Sequence, residues 1–253
     1  MLVHEAFGRA LAELWMRDEV LTHEPGVLAE RVAASFASGE AGVRAASELL
    51  VRSGVRARWN ETLRCDRAAA LAARIRPLVA EPLLDVLTGD GSICRALSDL
   101  GVARLAATER CGEYPESCLP PDVLFRPFDD EMDLGQFGAS TALLSTVLHH
   151  EPDPVRLLDA LARTDIPRWI VVENCVTPEF SRSFHQVADQ FFNTCLNEFG
   201  VHCGDEHRTI GEWTELLARY GAVAVIDGAF TVPGIPFPYS LLVVNRDIGA
   251  AMK

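Results

Sequence analysis

The 253-residue chain has no apolar run long enough to cross a bilayer. Its best candidates, residues 169–172 and 241–244, are the length of strands, so no membrane partner is expected. Basic clusters are also missing. With 23 Lys and Arg against 36 Asp and Glu, the formal charge is −13, a field that repels a phosphate backbone and that no local Lys/Arg run offsets. Nucleic acid is therefore not expected as a partner. Residues 1–17 lack the basic head and unbroken apolar segment of an export signal, because Glu5 and Glu13 interrupt them. No Cys-x-x-Cys pair occurs. The seven cysteines, an odd number, are scattered at Cys65, Cys94, Cys111, Cys118, Cys175, Cys195 and Cys203, which suits a reducing, cytoplasmic setting and a role mainly as small core residues.

What is present is apolar residue in quantity, 49% of the chain, enough for one α/β core with a smaller appendage. Residues 3–79 carry apolar side chains at three- and four-residue spacing, as in Phe7, Leu11, Leu14 and Trp15. They predict short helices interrupted at Pro25-Gly26, Ser38-Gly39 and Ser53-Gly54. Beyond Pro82, apolar runs at 83–87, 105–108, 123–125, 142–148, 169–172, 222–226 and 239–244 alternate with helical stretches at 92–100, 155–163, 181–197 and 210–220. That alternation predicts an α/β fold, doubly wound, with a mostly parallel seven-stranded sheet. The expected division is a helical cap or lid over residues 1–79 and a catalytic domain over 80–253. Ligands of such sheets sit beyond the carboxyl ends of the strands.

The first strand end reads Asp85-Val86-Leu87-Thr88-Gly89-Asp90-Gly91, a glycine turn that lets backbone approach a ligand closely. A pyrophosphate is disfavoured there, since Cys94 replaces the third small residue of a dinucleotide pattern and Asp90 puts negative charge at the helix start. A cationic ligand with hydroxyls suits the turn better. The second run ends at Glu109, where an acid can accept ribose hydroxyls, and the third is followed by Phe128-Asp129-Asp130, an aromatic and acids suited to an adenine. Singly, each acid reads as an ordinary solvated loop residue. The ordered set carries the inference.

That set, followed by Leu143-Leu144-Ser145-Thr146-Val147-Leu148-His149-His150-Glu151-Pro152-Asp153-Pro154, resembles the class I S-adenosylmethionine (SAM) methyltransferases over roughly residues 80–246, most specifically in the Leu-His-His-x-x-Asp-Pro element. The resemblance implies a Rossmann-like methyltransferase sheet with SAM as cofactor. It implies Asp85, Gly89 and Gly91 at the methionine end of SAM, Glu109 at its ribose, Asp129 at its adenine, and Ser145 among the cofactor-binding residues. Two positions depart from the pattern: Leu87 stands where the first glycine belongs, and Ser140 where an Asp often opens the fourth strand. A bulky Leu87 is expected to reshape the methionine pocket.

Methyl transfer is an in-line displacement, so the protein must align the acceptor and handle its proton. His149 and His150 follow the fourth run, and Glu173 and Asn174 follow the fifth. A histidine, with an ordinary pKa of about 6.5, suits a general base; loop packing is the competing explanation of the pair. Farther on, Thr209 predicts an N-cap, with Glu212 completing a capping box. The stretch through His207, Arg208 and Thr209 resembles the segment before the last helix in plant-type O-methyltransferases and bacterial ketoacid C-methyltransferases. This implies that His149 is the base and that His207 faces it. Some of the bacterial relatives bind a metal with histidines at these two places, so a divalent metal on His149 and His207, with or without His150, is a further expectation. Aromatics at helical spacing in 181–197 read first as core. The resemblance instead makes this segment a substrate wall, with Phe192 and Asn193 facing the acceptor and Trp59-Asn60 reaching in from the cap.

The expected function is thus SAM-dependent methylation of an oxygen, or a carbon, of a small metabolite. Specialised metabolism is expected because the cap does not resemble the winged-helix dimerisation domain of the plant enzymes. Two alternatives stand beside it: an enzyme reusing the fold for cyclisation, decarboxylation or metal-dependent chemistry, which Leu87 invites, and a non-catalytic SAM-binding protein. The apolar faces of the N-terminal helices either cover the catalytic domain or form a homodimer.

Overall fold

A computed structural model describes residues 3–20, 24–110, 119–197, 203–204 and 206–247; Cys111 and Cys118 lie outside the described residues. Five helices come first: α1 (Val3–Arg17), α2 (Pro25–Phe36), α3 (Glu40–Arg52), α4 (Val55–Arg58) and α5 (Arg64–Ile75). Their breaks have local causes. Pro25 takes the first helical position of α2, where its missing N–H costs nothing, and Gly39 and Gly54 adopt φ of 77° and 79° between helices. The junction between α4 and α5 is different in kind, because a π-helical turn over Trp59–Leu63 joins them without a break. Phe7, Leu11, Leu14 and Trp15 form the expected buried stripe of α1.

The sheet comprises β1 (Leu83–Asp85), β2 (Leu105–Glu109), β3 (Leu124–Pro127), β4 (Thr141–Ser145), β5 (Arg168–Asn174), β6 (Ala222–Phe230) and β7 (Tyr239–Asn245). Its order is β3-β2-β1-β4-β5-β7-β6, with β7 antiparallel to both neighbours and every other pair parallel. Helices α6 (Ser92–Asp99), α7 (Pro154–Ala162), α8 (Arg182–Phe191) and α9 (Ile210–Leu217) complete the layers. A second π-helical turn, Phe192–Asn197, extends α8. The run at 142–148 is shorter as a strand than its apolar pattern suggests. β4 stops at Ser145, Thr146 turns the chain at φ 57°, and Leu148–His150 form a 3-10 turn. The reason is local competition for hydrogen bonds: the Glu173 carboxylate takes the backbone N–H groups of Val147 and Leu148.

Strand side chains alternate between two cores. On one face Leu83, Leu143, Ile170 and Val172 share a core with α6, α8 and the N-terminal helices; on the other, Leu84, Leu144 and Val171 pack on α7 and α9. The N-terminal helices thus share one core with the sheet, which buries the stripe Phe7, Leu11, Leu14 and Trp15 while Met16, Val27 and Val51 stay exposed.

Candidate active site

At the carboxyl end of β1 the backbone takes left-handed φ at alternate residues: Leu87 at 57°, Gly89 at 61° and Gly91 at 73°. Leu87 thus follows the path of a glycine at the price of strain that a side chain rarely bears, of order 1–3 kcal/mol. Its side chain packs against the core of the α7/α9 face and borders a cavity of about 400 Å³ beyond the strand ends. Gly89, Glu109 and Ser145 line the same cavity. Glu109 closes the turn from outside, accepting from the Gly89 N–H and from its neighbour Arg110, both at 2.7 Å.

Three residues expected at the cofactor have other places. Asp85 is buried, does not line the cavity, and accepts from the Thr88 hydroxyl at 2.7 Å, so it braces the turn from beneath. Burial pushes its pKa up to about 6, with the Thr88 bond opposing. Gly91 is the N-cap of α6, and a Cβ there would stand 2.9 Å from Leu119 Cδ2; its glycine serves packing. Asp129 is exposed and caps its own turn through the N–H of Glu131. Neither Gly91 nor Asp129 lines the cavity.

At the other end of the cavity lies a cluster of imidazoles and carboxylates. The Glu173 carboxylate, wholly buried at the end of β5, accepts from two backbone amides and from His149 Nδ1 at 2.5 Å. His149 Nε2 stands 3.5 Å from Asp189 Oδ1, and His150 Nδ1 stands 3.6 Å from Asp189 Oδ2. Burial opposes a charge on His149, but Glu173 and then Asp189 outweigh it and raise its pKa to about 10. Asp189 responds in kind: burial would raise its pKa, yet the contacts with His149 and His150 hold it well below the usual carboxylate range. His207 stacks on His149 with ring centroids 5.1 Å apart, and His185 lies beyond it at 5.5 Å. Burial, then the His149 charge, lowers His207 to about 2; burial also takes His185 down to about 4. One charged imidazole is thus backed by two neutral ones.

His149, His150, Phe192 and Asn193 line the cavity, whereas Glu173 and His207 do not and touch His149 from behind. The capping box forms as expected, Thr209 and Glu212 bonding each other's backbone, and anchors the loop carrying His207. Trp59 reaches the site, packing on Phe192 at 5.4 Å and donating to Asn197 at 2.7 Å, so the two π-helical turns meet at the cavity wall; Asn60 points to solvent. Asp189, Arg64, Arg67 and Tyr239 also line the cavity and were not anticipated. For Asp189 a signal existed: His185, Asp189 and Asn193 recur every fourth residue along α8 and the π-helical turn that extends it, and all three are buried.

The donor set also bears on the expected metal. Ligand atoms of His149, His150 and Asp189 lie within 4.8 Å of one another, and among the described residues His207 is not part of this group. A carboxylate on the far nitrogen of a metal-bound histidine is the usual support, and Glu173 provides it. Among the described residues, Asp189 Oδ2 and His207 Nε2 have no hydrogen-bond partner and are buried. These residues fit a divalent ion.

No protein-family model matches the sequence, and no match was found among curated proteins. Solved structures do match. Mitomycin 7-O-methyltransferase MmcR is 21% identical with a TM-score of 0.54, over 88% of this chain and 70% of its own. The CurJ carbon methyltransferase is 11% identical with a TM-score of 0.56, over 94% of this chain and 69% of its own. The methyltransferase domain of bacterial CtHen1-C is 16% identical with a TM-score of 0.50, over 73% and 99%. The chain has the Rossmann-like fold of the class I methyltransferases.

Proposed function

We propose that this chain is a SAM-dependent methyltransferase whose acceptor is a small metabolite with an acidic oxygen, methylated on that oxygen or on a carbon conjugated to it. The observation that carries this reading is that the glycine turn with Glu109 and the imidazole–carboxylate cluster open into one cavity. The fold adds support, since such folds place ligands at these strand ends. SAM, when bound, supplies an electrophilic methyl group on a sulfonium sulfur. Glu109, which lines the cavity, would receive its ribose hydroxyls, and Ser145, whose buried hydroxyl lacks a partner among the described residues, would face it as well. Asp90 and Glu151 in the lining suit a cationic cofactor.

His149 is the residue that handles the acceptor's proton. Held charged by Glu173 and Asp189, it binds the acceptor as an oxyanion and keeps the proton that oxygen would otherwise carry. A neutral acceptor on a neutral imidazole has the same proton inventory, so the general-base and anchor descriptions are two labels for one complex. Phe192 and Asn193 form the wall against which the acceptor is aligned.

Calorimetric titration with SAM and S-adenosylhomocysteine tests the cofactor. Both are expected to bind, and Glu109→Ala is expected to weaken both at least tenfold; no binding of either overturns the reading. Binding without SAM consumption across an acceptor screen would favour a non-methylating enzyme or a non-catalytic binder.

A second reading is favoured by the convergence of His149, His150 and Asp189. These side chains would hold a divalent metal, which would polarise the acceptor oxygen as a Lewis acid. Titration of chelator-treated protein with zinc, followed by calorimetry, is expected to show one site that His150→Ala weakens. Unchanged binding in that variant removes this reading.

A further inference from the structure

Two side chains of the π-helical turn Phe192–Asn197, Asn193 and Asn197, line the cavity four residues apart. The partners of each amide fix which way it is turned. Asn193 Nδ2 lies 3.0 Å from the backbone oxygen of Asp189 and 2.9 Å from Asp189 Oδ1, with Cys203 Sγ a longer contact at 3.7 Å. Carbonyl and carboxylate oxygens accept, so the amide nitrogen is turned to Asp189 and Oδ1 is the atom left over. Asn197 is turned the opposite way. Its Oδ1 accepts from Trp59 Nε1 at 2.7 Å, and an indole nitrogen only donates, so Nδ2 is the atom left over. Among the described residues neither Asn193 Oδ1 nor Asn197 Nδ2 has a hydrogen-bond partner.

The indole that orients Asn197 is itself held. Gly234 adopts φ 77°, and a Cβ there would stand 2.8 Å from Trp59 Cζ3, so the loop before β7 closes on the ring. The wall beside the two amides is aromatic, Trp59 meeting Phe192 and Phe192 meeting Phe237 at centroid distances of 5.4 and 6.5 Å. A polar atom left open in such a wall costs free energy until a ligand completes it. Single π-helical turns are also a form of helix found often at functional sites, and two of them, 59–63 and 192–197, meet at the Trp59–Asn197 bond.

We propose that Asn193 and Asn197 form a subsite that reads the amide edge of a carboxamide or lactam carried by the acceptor, Asn193 Oδ1 taking its N–H and Asn197 Nδ2 donating to its carbonyl. Residues one helical turn apart have Cβ atoms about 5–6 Å from each other, a span that brackets a single amide edge. A ketone, an ester or a carboxylate brings no hydrogen to Asn193, so the pair selects against all three. The inference rests on the proposed function in taking the ligand to be the methyl acceptor. A purely structural Asn197, tying Trp59 to the wall, has no such selectivity.

The test reads binding at the site itself, from the indole N–H resonance of Trp59, assigned with Trp59→Phe. Three probes of one shape, benzamide, acetophenone and isopropylbenzene, are titrated with S-adenosylhomocysteine present; the second lacks the donor and the third lacks both polar groups. Wild type is expected to bind benzamide more tightly than acetophenone by about fivefold or more, the worth of one hydrogen bond. Asn197→Asp keeps the oxygen that accepts from Trp59 but sets a second acceptor where the donor was. It is expected to weaken benzamide by about fivefold or more and to leave isopropylbenzene unchanged. No preference for benzamide in wild type, unchanged benzamide binding in Asn197→Asp, or equal weakening of all three probes by that variant overturns the proposal. Should the variant fail to fold, the wild-type preference decides it. Failure of S-adenosylhomocysteine to bind in calorimetry would sink the methyltransferase reading; the same probes, titrated alone, would then still test the subsite.

Discussion

His149 between Glu173 and Asp189 sets the pH behaviour of the site. In metal-free protein, loss of the His149 proton near pH 10 should form the alkaline limb of kcat/KM. Asp189→Asn removes one of the carboxylates that raise this pKa, so the limb is expected to move to lower pH; an unmoved limb would disconnect Asp189 from His149. Stability follows the same sign. A histidine raised on folding stabilises fully below its unfolded pKa, about 6.5, and loses that contribution as pH rises to about 10; Asp189, depressed on folding, contributes above about 3.9. Denaturant midpoints are therefore expected to fall from pH 6.5 to 10 in wild type and to fall less in Asp189→Asn. Leu87 offers a second residue-scale measurement. Leu87→Ile keeps the apolar volume but places a β-branched residue at φ 57°, and is expected to cost about 1–2 kcal/mol of unfolding free energy. Leu87→Asn, which tolerates that conformation, should lose less to backbone strain. Equal midpoints for Leu87→Ile and wild type would show that the turn is unstrained.

Among the elements, α9 and α8 serve the cluster in different ways. The capping box at Thr209 satisfies the first amides of α9 and fixes the loop bearing His207, so Thr209→Ala is expected to cost about 1 kcal/mol in denaturant unfolding. The cap was legible because its partners are three residues apart. Helix α8 and the π-helical turn that extends it present His185, Asp189 and Asn193 on the face toward the cluster while burying Phe184 and Phe191 against Phe7. Its aromatic stripe dominates the sequence pattern, which is why, of the polar stripe beside it, Asn193 is legible but His185 and Asp189 are not. The end of β4 is illegible for a related reason, since an apolar run cannot show that a carboxylate on β5 takes the amides of Val147 and Leu148.

Across the whole molecule, the N-terminal helices and the sheet share one core, so they should unfold together. Far-ultraviolet circular dichroism and tryptophan fluorescence, with Trp15 and Trp59 in the helices and Trp169 and Trp213 in the sheet and α9, are expected to give one coincident transition. Leu11→Ala, in the first helix and wholly buried, should lower the stability of that single transition by about 2–5 kcal/mol. Two separated transitions would mean that residues 3–78 form an independent unit.

By itself the sequence determined the alternation of strands and helices, the glycine turn, the capping box and the placing of His149 and Glu173 at the ends of successive apolar runs. These depend on periodicity within a few residues, or on the rule that adjacent parallel strands end together. Only the tertiary structure decided that Asp85 braces the turn from beneath, that Gly91 makes room for Leu119, that Asp189 completes the charge on His149, and that Arg67 enters from the N-terminal helices. Those outcomes turn on which side chains distant in sequence share a buried, poorly solvated space, where the sign and spacing of each charge depend on its neighbours, and no local pattern encodes that company.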